Sequence, residues 1–202
     1  DVQDPIELFY NLNSEQSRFY DRVLTEFFGE DGVFTGAIYQ PFIYETEVNE
    51  ESLDEEGNRA VVIQANLFDF MRRLLVKRFE SSFGAFNESI KRFLNIHIRV
   101  KEFIEKTGGK YILDRKLMDS LMNEEDMDII LKILDDYENN MLSKRVPKNN
   151  TVYDINRFKR KADFINNINK DIALFENLKN QLCKLDIVHN DPKRKKVSEE
   201  VY

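Results

Sequence analysis

The stretch Phe70-Met-Arg-Arg-Leu-Leu-Val-Lys-Arg-Phe-Glu-Ser-Ser-Phe-Gly-Ala-Phe-Asn-Glu-Ser-Ile90 decides the fold, because its apolar residues follow a helical repeat. The same pattern extends from about residue 60 to residue 106, and no proline interrupts it. Gly84 is the weakest point of this run, since glycine in a helix costs about 1 kcal/mol relative to alanine. We therefore expect one long helix, kinked at Gly84, that packs against an antiparallel neighbour.

The composition of the whole chain supports a helical protein. Its 202 residues include only 7 Gly and 4 Pro, and such sparse punctuation favours long helices. The formal net charge of −7 argues against a surface that binds nucleic acid everywhere. Cys183 is the single cysteine, which excludes an internal disulfide and fits a reducing, cytoplasmic location. No apolar run approaches the roughly 20 residues that span a bilayer, so we expect no membrane contact.

The predicted fold class is all-α, with long antiparallel helices in a bundle or a protruding coiled-coil-like arrangement. Asn13 or Ser14 is suited to cap a first helix, with Gln16 reaching back to the cap, and this helix is expected to continue to Phe28. The aromatic residues 34–45 are expected to form an irregular, partly extended loop on the helices. The acidic residues 45–58 are expected to form an exposed, mobile loop.

The second half of the chain continues the helical prediction. Gly108 and Gly109 predict a turn, and Asp114 is suited to cap a short helix that ends near residue 122. A further helix is expected over about 124–142, and Ile129 and Ile133 belong to its expected buried face. Residues 146–151 are expected to form a linker. The last helix is expected over about 153–187, with a near-heptad apolar stripe that is typical of helix pairing.

Sequence motifs for independent catalysis are missing. The chain has no GxxxxGK[ST] phosphate loop and no GxSxG elbow. His97 and His189 are the only histidines, and they are far apart in the sequence. The many carboxylates have no convergent partner in the sequence, so we interpret them as solvated helix faces and caps. This chain alone is therefore not expected to be an enzyme.

Three separated segments nevertheless resemble helicase-like proteins of the Swi/Snf type within superfamily two, in the same order. Leu8-Phe-Tyr-Asn-Leu-Asn-Ser-Glu-Gln16, followed by Tyr20, resembles the segment after the first ATPase lobe of that family. Met71-Arg-Arg-Leu-Leu-Val-Lys-Arg-Phe-Glu-Ser-Ser82 is similar to a Leu-Leu-Lys-Arg-Leu-Glu-Ser-Ser helix in bacterial relatives. Asp191-Pro-Lys193 resembles the segment that opens the second lobe.

The resemblance implies that this chain is a part of an ATP-dependent helicase or nucleic-acid translocase. Residues 1–190 would be a helical module between the two ATPase lobes, and residues 191–202 would be a linker or the start of the second lobe. The resemblance implies ATP and magnesium for the parent protein, and no cofactor, metal or catalytic residue for this chain. The flanking lobes and double-stranded DNA would be its partners.

Two cationic sets are the candidate nucleic-acid contacts: Arg72, Arg73, Lys77 and Arg78 in the quoted stretch, and Arg157 and Arg160 near the last helix. Arginine and lysine suit phosphate contacts, which need no base recognition. The alternative interpretation is that they form ion pairs within the chain, for example with Asp69 or Glu80. An alternative function is a helical protein–protein interaction or self-association module that uses the apolar stripe of the last helix.

Overall fold

The computed structural model describes residues 10–45, 55–114 and 152–201, together with positions 126, 129, 132, 133 and 136. These residues are mostly helical, which confirms the all-α prediction. The elements in chain order are α1 (Ser14–Arg22), a π-helical turn (Val23–Phe27), a 3₁₀ turn (Ala37–Tyr39), α2 (Phe42–Glu45), α3 (Glu55–Ser81), α4 (Phe83–Lys106), β1 (Lys110–Ile112), β2 (Val152–Asp154), a second 3₁₀ turn (Ile155–Arg157), α5 (Lys161–Lys184) and α6 (Pro192–Val201).

Helix α1 starts with the predicted capping box. The Asn13 side-chain oxygen accepts a hydrogen bond from the Gln16 backbone N–H at 2.8 Å, and the Gln16 side-chain oxygen accepts one from the Asn13 backbone N–H at 3.1 Å. Both bonds satisfy donors that a helix start leaves open. The helix continues through the π-helical turn, where the Phe28 N–H donates to the Val23 carbonyl at 3.1 Å. The prediction of a helical segment to Phe28 is thus confirmed.

The prediction of one long helix kinked at Gly84 is wrong, because the chain breaks at Ser82. Ser82 has an extended backbone, with φ −159° and ψ 133°, and separates α3 from α4. Its hydroxyl accepts a hydrogen bond from the Ala85 N–H at 3.3 Å and so caps α4. Gly84 lies within the first turn of α4. The helical repeat conceals this break, because both helices turn their apolar sides to the same core.

Helices α3 and α4 form an antiparallel hairpin. The Phe34 ring lies 5.8 Å from Phe68 in α3 and 6.4 Å from His97 in α4. Phe68 precedes Ser82 by about as many residues as His97 follows it. The two helices must therefore fold back on each other at Ser82.

Helix α5 packs antiparallel to α4. Phe93 lies 5.7 Å from Phe175, and one turn later His97 lies beside Asp171, so residue numbers rise in α4 as they fall in α5. The stripe of α5 is buried in this contact, with Ile168 and Phe175 at most 1% exposed. The prediction of long, paired antiparallel helices is confirmed.

Helix α5 starts later than the predicted residue 153, because a small sheet precedes it. β1 and β2 are antiparallel, with Tyr111 opposite Tyr153. Gly108 and Gly109 make the predicted turn before β1, with φ of +67° and +113°. Tyr153 fits the helical repeat of α5 in the sequence. Its strand partner is more than 40 residues away, so the repeat alone does not reveal the pairing.

The aromatic residues 34–45 pack onto the helices as predicted, but as short helical turns more than as extended chain. The 3₁₀ turn and α2 occupy most of this range, and their aromatic side chains are buried. Tyr111 donates a hydrogen bond from its hydroxyl to the Ile38 carbonyl, which ties the turn to β1. This segment is therefore a part of the core.

Several other predictions fall partly outside the described residues or are wrong in part. Residues 55–58 belong to α3, so the predicted acidic loop is wrong there, and residues 46–54 lie outside the described residues. The short helix after Asp114 and the linker at 146–151 also lie outside them. In the helix predicted over 124–142, positions 129, 132, 133 and 136 are helical. Ile129 and Ile133 are 44% and 37% exposed, so their predicted burial is wrong.

Candidate functional site

The turn between α3 and α4 receives a lysine from the far end of the chain. The Lys193 ammonium donates hydrogen bonds to the Phe79 and Glu80 carbonyls, at 3.0 and 2.6 Å. These carbonyls lie in the last turn of α3, where a helix has no further N–H groups to offer and where its dipole favours a cation. Lys193 therefore caps the C-terminal end of α3 from a segment more than 110 residues away.

Aromatic rings surround the same ammonium. The Lys193 Nζ atom lies 4.3 Å from the centre of the Phe83 ring and 5.4 to 5.9 Å from the centres of three others: Tyr10, Tyr20 and Phe79. A cation within about 6 Å of a ring face is attracted by the ring quadrupole. Burial lowers the pKa of Lys193, while the nearby Asp191 and Glu80 carboxylates oppose that shift.

The start of α6 directs Lys193 into this site. Asp191 is 5% exposed, and its side chain accepts hydrogen bonds from the Lys193 and Arg194 N–H groups at 2.9 and 3.4 Å. Pro192 follows as the first helical residue, where its missing N–H costs nothing. Residues 192–201 are thus a capped helix at the site, and the assignment of residues 191–202 to a linker or to the start of a second lobe stays a prediction.

The three segments that carry the family resemblance meet at this turn. Tyr10 and Tyr20 come from the first segment, and the centres of their rings lie 5.4 and 5.8 Å from the Lys193 ammonium. Phe79 and Glu80 come from the second, and Lys193 from the third. We call this arrangement the turn-end cluster. Sequence order alone did not predict that the segments touch, because each lies in a different helical element.

Arg72 has a structural position beside the turn-end cluster. Its guanidinium donates to the Phe28 carbonyl at 2.9 Å and to Asp69 at 2.6 Å, and its side chain is only 15% exposed. The hydrogen bond from Arg72, with the charge of Arg73 in addition, lowers the pKa of Asp69 below its ordinary value. For Arg72, the internal ion-pair interpretation fits the structure better than a phosphate contact.

The other three cations of the stretch lie on the surface of α3. Arg73 pairs with Asp69 at 2.7 Å, yet its side chain is 69% exposed. Lys77 and Arg78 are exposed, and within the described part of the chain no hydrogen bond or ion pair engages their side chains. Arg73 and Lys77 are four residues apart and share one side of the helix. These three remain available for a phosphate backbone.

Arg157 and Arg160 lie at the other end of the bundle. Arg157 is 3.6 Å from Asp154 and is 86% exposed. Arg160 pairs with Asp163 at 2.9 Å, and its guanidinium lies 5.5 Å from the centre of the Tyr44 ring. They precede α5, whose start packs near the end of α4, whereas the cations of α3 lie near the start of α4. Most of the length of α4, which has 24 residues and is about 36 Å long, therefore lies between the two sets.

A buried polar group at the centre of the bundle was missed by the sequence reasoning. The Asp171 carboxylate accepts hydrogen bonds from the Thr35 N–H and the Thr35 hydroxyl, both at 2.8 Å, and lies 3.7 Å from His97 Nε2. The backbone N–H groups of Gly36 and Ala37 also face it. Burial raises the pKa of Asp171 to about 6, because it outweighs these hydrogen bonds. In the sequence, the only sign of this buried group was a single aspartate, Asp171, on an otherwise apolar helix face.

The described residues carry neither a metal site nor a membrane span. No group of three or more histidine, cysteine or acidic residues among them is placed to hold a metal ion. None of their helices is both long and apolar enough to cross a bilayer.

Comparison with known proteins identifies no relative. No family model, curated protein or solved structure matches this chain. The proposal for the function therefore rests on the turn-end cluster and on the exposed cations of α3, which are Arg73, Lys77 and Arg78.

Proposed function

We propose that this chain is a helical coupling module of a larger Swi/Snf-type helicase or nucleic-acid translocase. The observation that carries the proposal is the turn-end cluster, where three segments with family-like sequences meet around Lys193. A module between two ATPase lobes must join the chain that leaves the first lobe to the chain that enters the second. The cluster joins the segments that the resemblance assigns to these two positions.

The proposed role requires no catalysis by this chain. ATP and magnesium would bind to the flanking lobes, which are its proposed partners together with double-stranded DNA. A cytoplasmic location is part of the proposal, supported by a lone, unpaired cysteine, Cys183. The chain would transmit movement between the lobes through its rigid hairpin of α3 and α4.

The proposed contact with nucleic acid is the exposed side of α3, through Arg73, Lys77 and Arg78. These side chains face solvent, whereas Arg72 is held by Phe28 and Asp69. Arg157 and Arg160 lie too far away to contact the same short stretch of phosphates. Because the chain as a whole is acidic, we expect weak binding that depends on this local surface and decreases steeply with salt.

Charge reversal at the two ends tests the proposed contact. Lys77→Glu with Arg78→Glu and Arg157→Glu with Arg160→Glu change the net charge by the same amount at opposite ends of the bundle. Fluorescence anisotropy with a labelled 20-base-pair duplex at 50 mM salt should show at least a tenfold weaker affinity for the first pair only. Equal losses for both pairs, or no binding by the parent chain, would contradict the contact. ATP hydrolysis by the purified chain would contradict the coupling role.

A self-association module is the second candidate function, and the exposed apolar residues of α3 favour it. Val62 and Phe70 are 58% and 59% exposed on the outer side of this helix. The central part of the α5 stripe, in contrast, is buried at Ile168 and Phe175, so less of it is open to a partner. Light scattering distinguishes the candidates: a dimer that Phe70→Asp dissociates supports self-association, whereas a monomer at high concentration excludes it.

A further inference from the structure

The attachment of α6 to the rest of the molecule is concentrated in its first turn. Asp191 is buried and Pro192 and Lys193 are partly buried, whereas Arg194, Lys195, Val197 and Ser198 are exposed. An open groove of about 560 Å³ runs between α6 and the α3–α4 turn, lined by Ser82 and Arg194 among others. Beyond its first turn, Val197 and Ser198 are therefore poorly packed, whereas Lys196 is partly buried.

Lys193 provides the main polar link across this groove. Among the described residues, it alone donates from a side chain to the two α3 carbonyls, and its ammonium alone lies among the four rings of the turn-end cluster. A long lysine side chain can exchange these partners for water at modest cost, because the ammonium is only partly enclosed. Asp191 caps α6 through bonds within its own segment, so the helix keeps its cap when the lysine leaves.

We propose that Lys193 is a latch that sets whether α6 is docked on the α3–α4 hairpin or released from it. In the docked state, the ammonium caps α3 and contacts the rings. In the released state, water takes its place and the end of α3 loses its cap. The latch concerns α6 and α3 within this chain, so it stands whether or not the coupling role in a helicase is correct.

The Lys193 latch connects α6 to the side of α3 that carries the exposed cations Lys77 and Arg78. Phe79 and Glu80, which accept from Lys193, follow Lys77 and Arg78 within one helical turn. Release of α6 therefore uncaps the turn of α3 that carries the free cations. A movement of α6 would therefore change how well ordered this end of α3 is, without any contact between Lys193 and a ligand.

Hydrogen exchange measured by mass spectrometry tests the latch. Lys193→Met removes the ammonium and retains an apolar stem, and Arg194→Met is the matched control, since it removes a neighbouring exposed cation. We expect at least tenfold faster exchange for amides 195–198 in Lys193→Met, because a released helix of 10 residues is marginal in water even with its cap, and unchanged exchange in α4, α5 and the control. Unchanged exchange in α6, or equal acceleration in both variants, would overturn the proposal.

A second measurement keeps Lys193 in place and does not depend on the folding of that variant. The sequence has no tryptophan and one cysteine, so Val197→Trp and a fluorescent acceptor on Cys183 form a unique energy-transfer pair. During denaturant titration, energy transfer should be lost at a lower concentration than the far-ultraviolet circular dichroism signal. Coincident transitions would show that α6 leaves only when the bundle unfolds, which would overturn the latch.

Discussion

Asp171 and Lys193 both place a charged group beside phenylalanine rings, but the surroundings differ. Asp171 lies at the centre, fully buried, with Thr35 and the turn at Gly36 donating to its carboxylate. Lys193 lies at the end of the bundle, where water reaches it and where its partners are carbonyls and ring faces. An enclosed charge stabilises only one arrangement, whereas a partly exposed charge can be exchanged for water. We therefore expect the centre to govern stability and the end to govern docking.

Removal of the central carboxylate should have the largest effect. Asp171→Ala leaves the Thr35 N–H and hydroxyl without their acceptor in the core. We expect the free energy of unfolding to decrease by about 3–4 kcal/mol, as for buried polar groups that lose a partner. Urea denaturation followed by circular dichroism measures this. A loss below about 1 kcal/mol, within the range of an ordinary hydrogen bond, would remove the contrast between the two charges.

The pH dependence of the free energy of unfolding gives a second test of the contrast between Asp171 and Lys193. Because the folded-state pKa of Asp171 is raised from 3.8 to about 6, the folded state binds this proton more tightly than the unfolded state. Its contribution to stability is complete below pH 4 and is lost as the pH rises through 6. We expect the parent to lose about 3 kcal/mol more than Asp171→Asn between pH 3 and 8, since each pKa unit is worth about 1.4 kcal/mol. Parallel pH profiles would contradict the raised pKa.

The turn that faces Asp171 should be nearly as sensitive. Gly36 has φ +55°, and a methyl group there would lie 2.2 Å from the Phe68 ring. We expect Gly36→Ala to cost about 2–3 kcal/mol through backbone strain and this overlap. Gly108→Ala is the matched control, because φ is +67° there and no atom lies within 4 Å of the added carbon. Equal costs in thermal denaturation would mean that the packing at Gly36 is unimportant.

The turn end should show the smallest effect on stability. Ser82→Ala removes the side-chain cap of α4, and a lost N-cap typically costs about 1 kcal/mol. Ser81→Ala is the control, since Ser81 is an exposed residue of α3 outside the cap. Chemical denaturation of both variants measures the difference. A cost for Ser82→Ala as large as that for Asp171→Ala would show that the end is as firmly determined as the centre.

Sequence reasoning succeeded where the signal was local. The capping box of Asn13 and Gln16, the turn at Gly108 and Gly109, and the paired stripe of α5 all follow from neighbouring residues. It failed at Ser82, where two helices share one apolar repeat, and at Tyr153, whose strand partner is remote. For the candidate site, the sequence identified the cations, but it did not separate the partly buried Arg72 from the exposed Lys77 and Arg78.

The sequence by itself determined the helical class, the capped start of α1 and the positions of the charges along the chain, because these depend on residues within a few turns of each other. Only the tertiary structure decided that Lys193 caps α3 and that Asp171 meets Thr35. It also decided that the two cationic sets lie at opposite ends. The contact of Lys193 with α3 and the contact of Asp171 with Thr35 each join residues more than 100 positions apart. Such contacts are selected by the packing of the whole core, which no local pattern records.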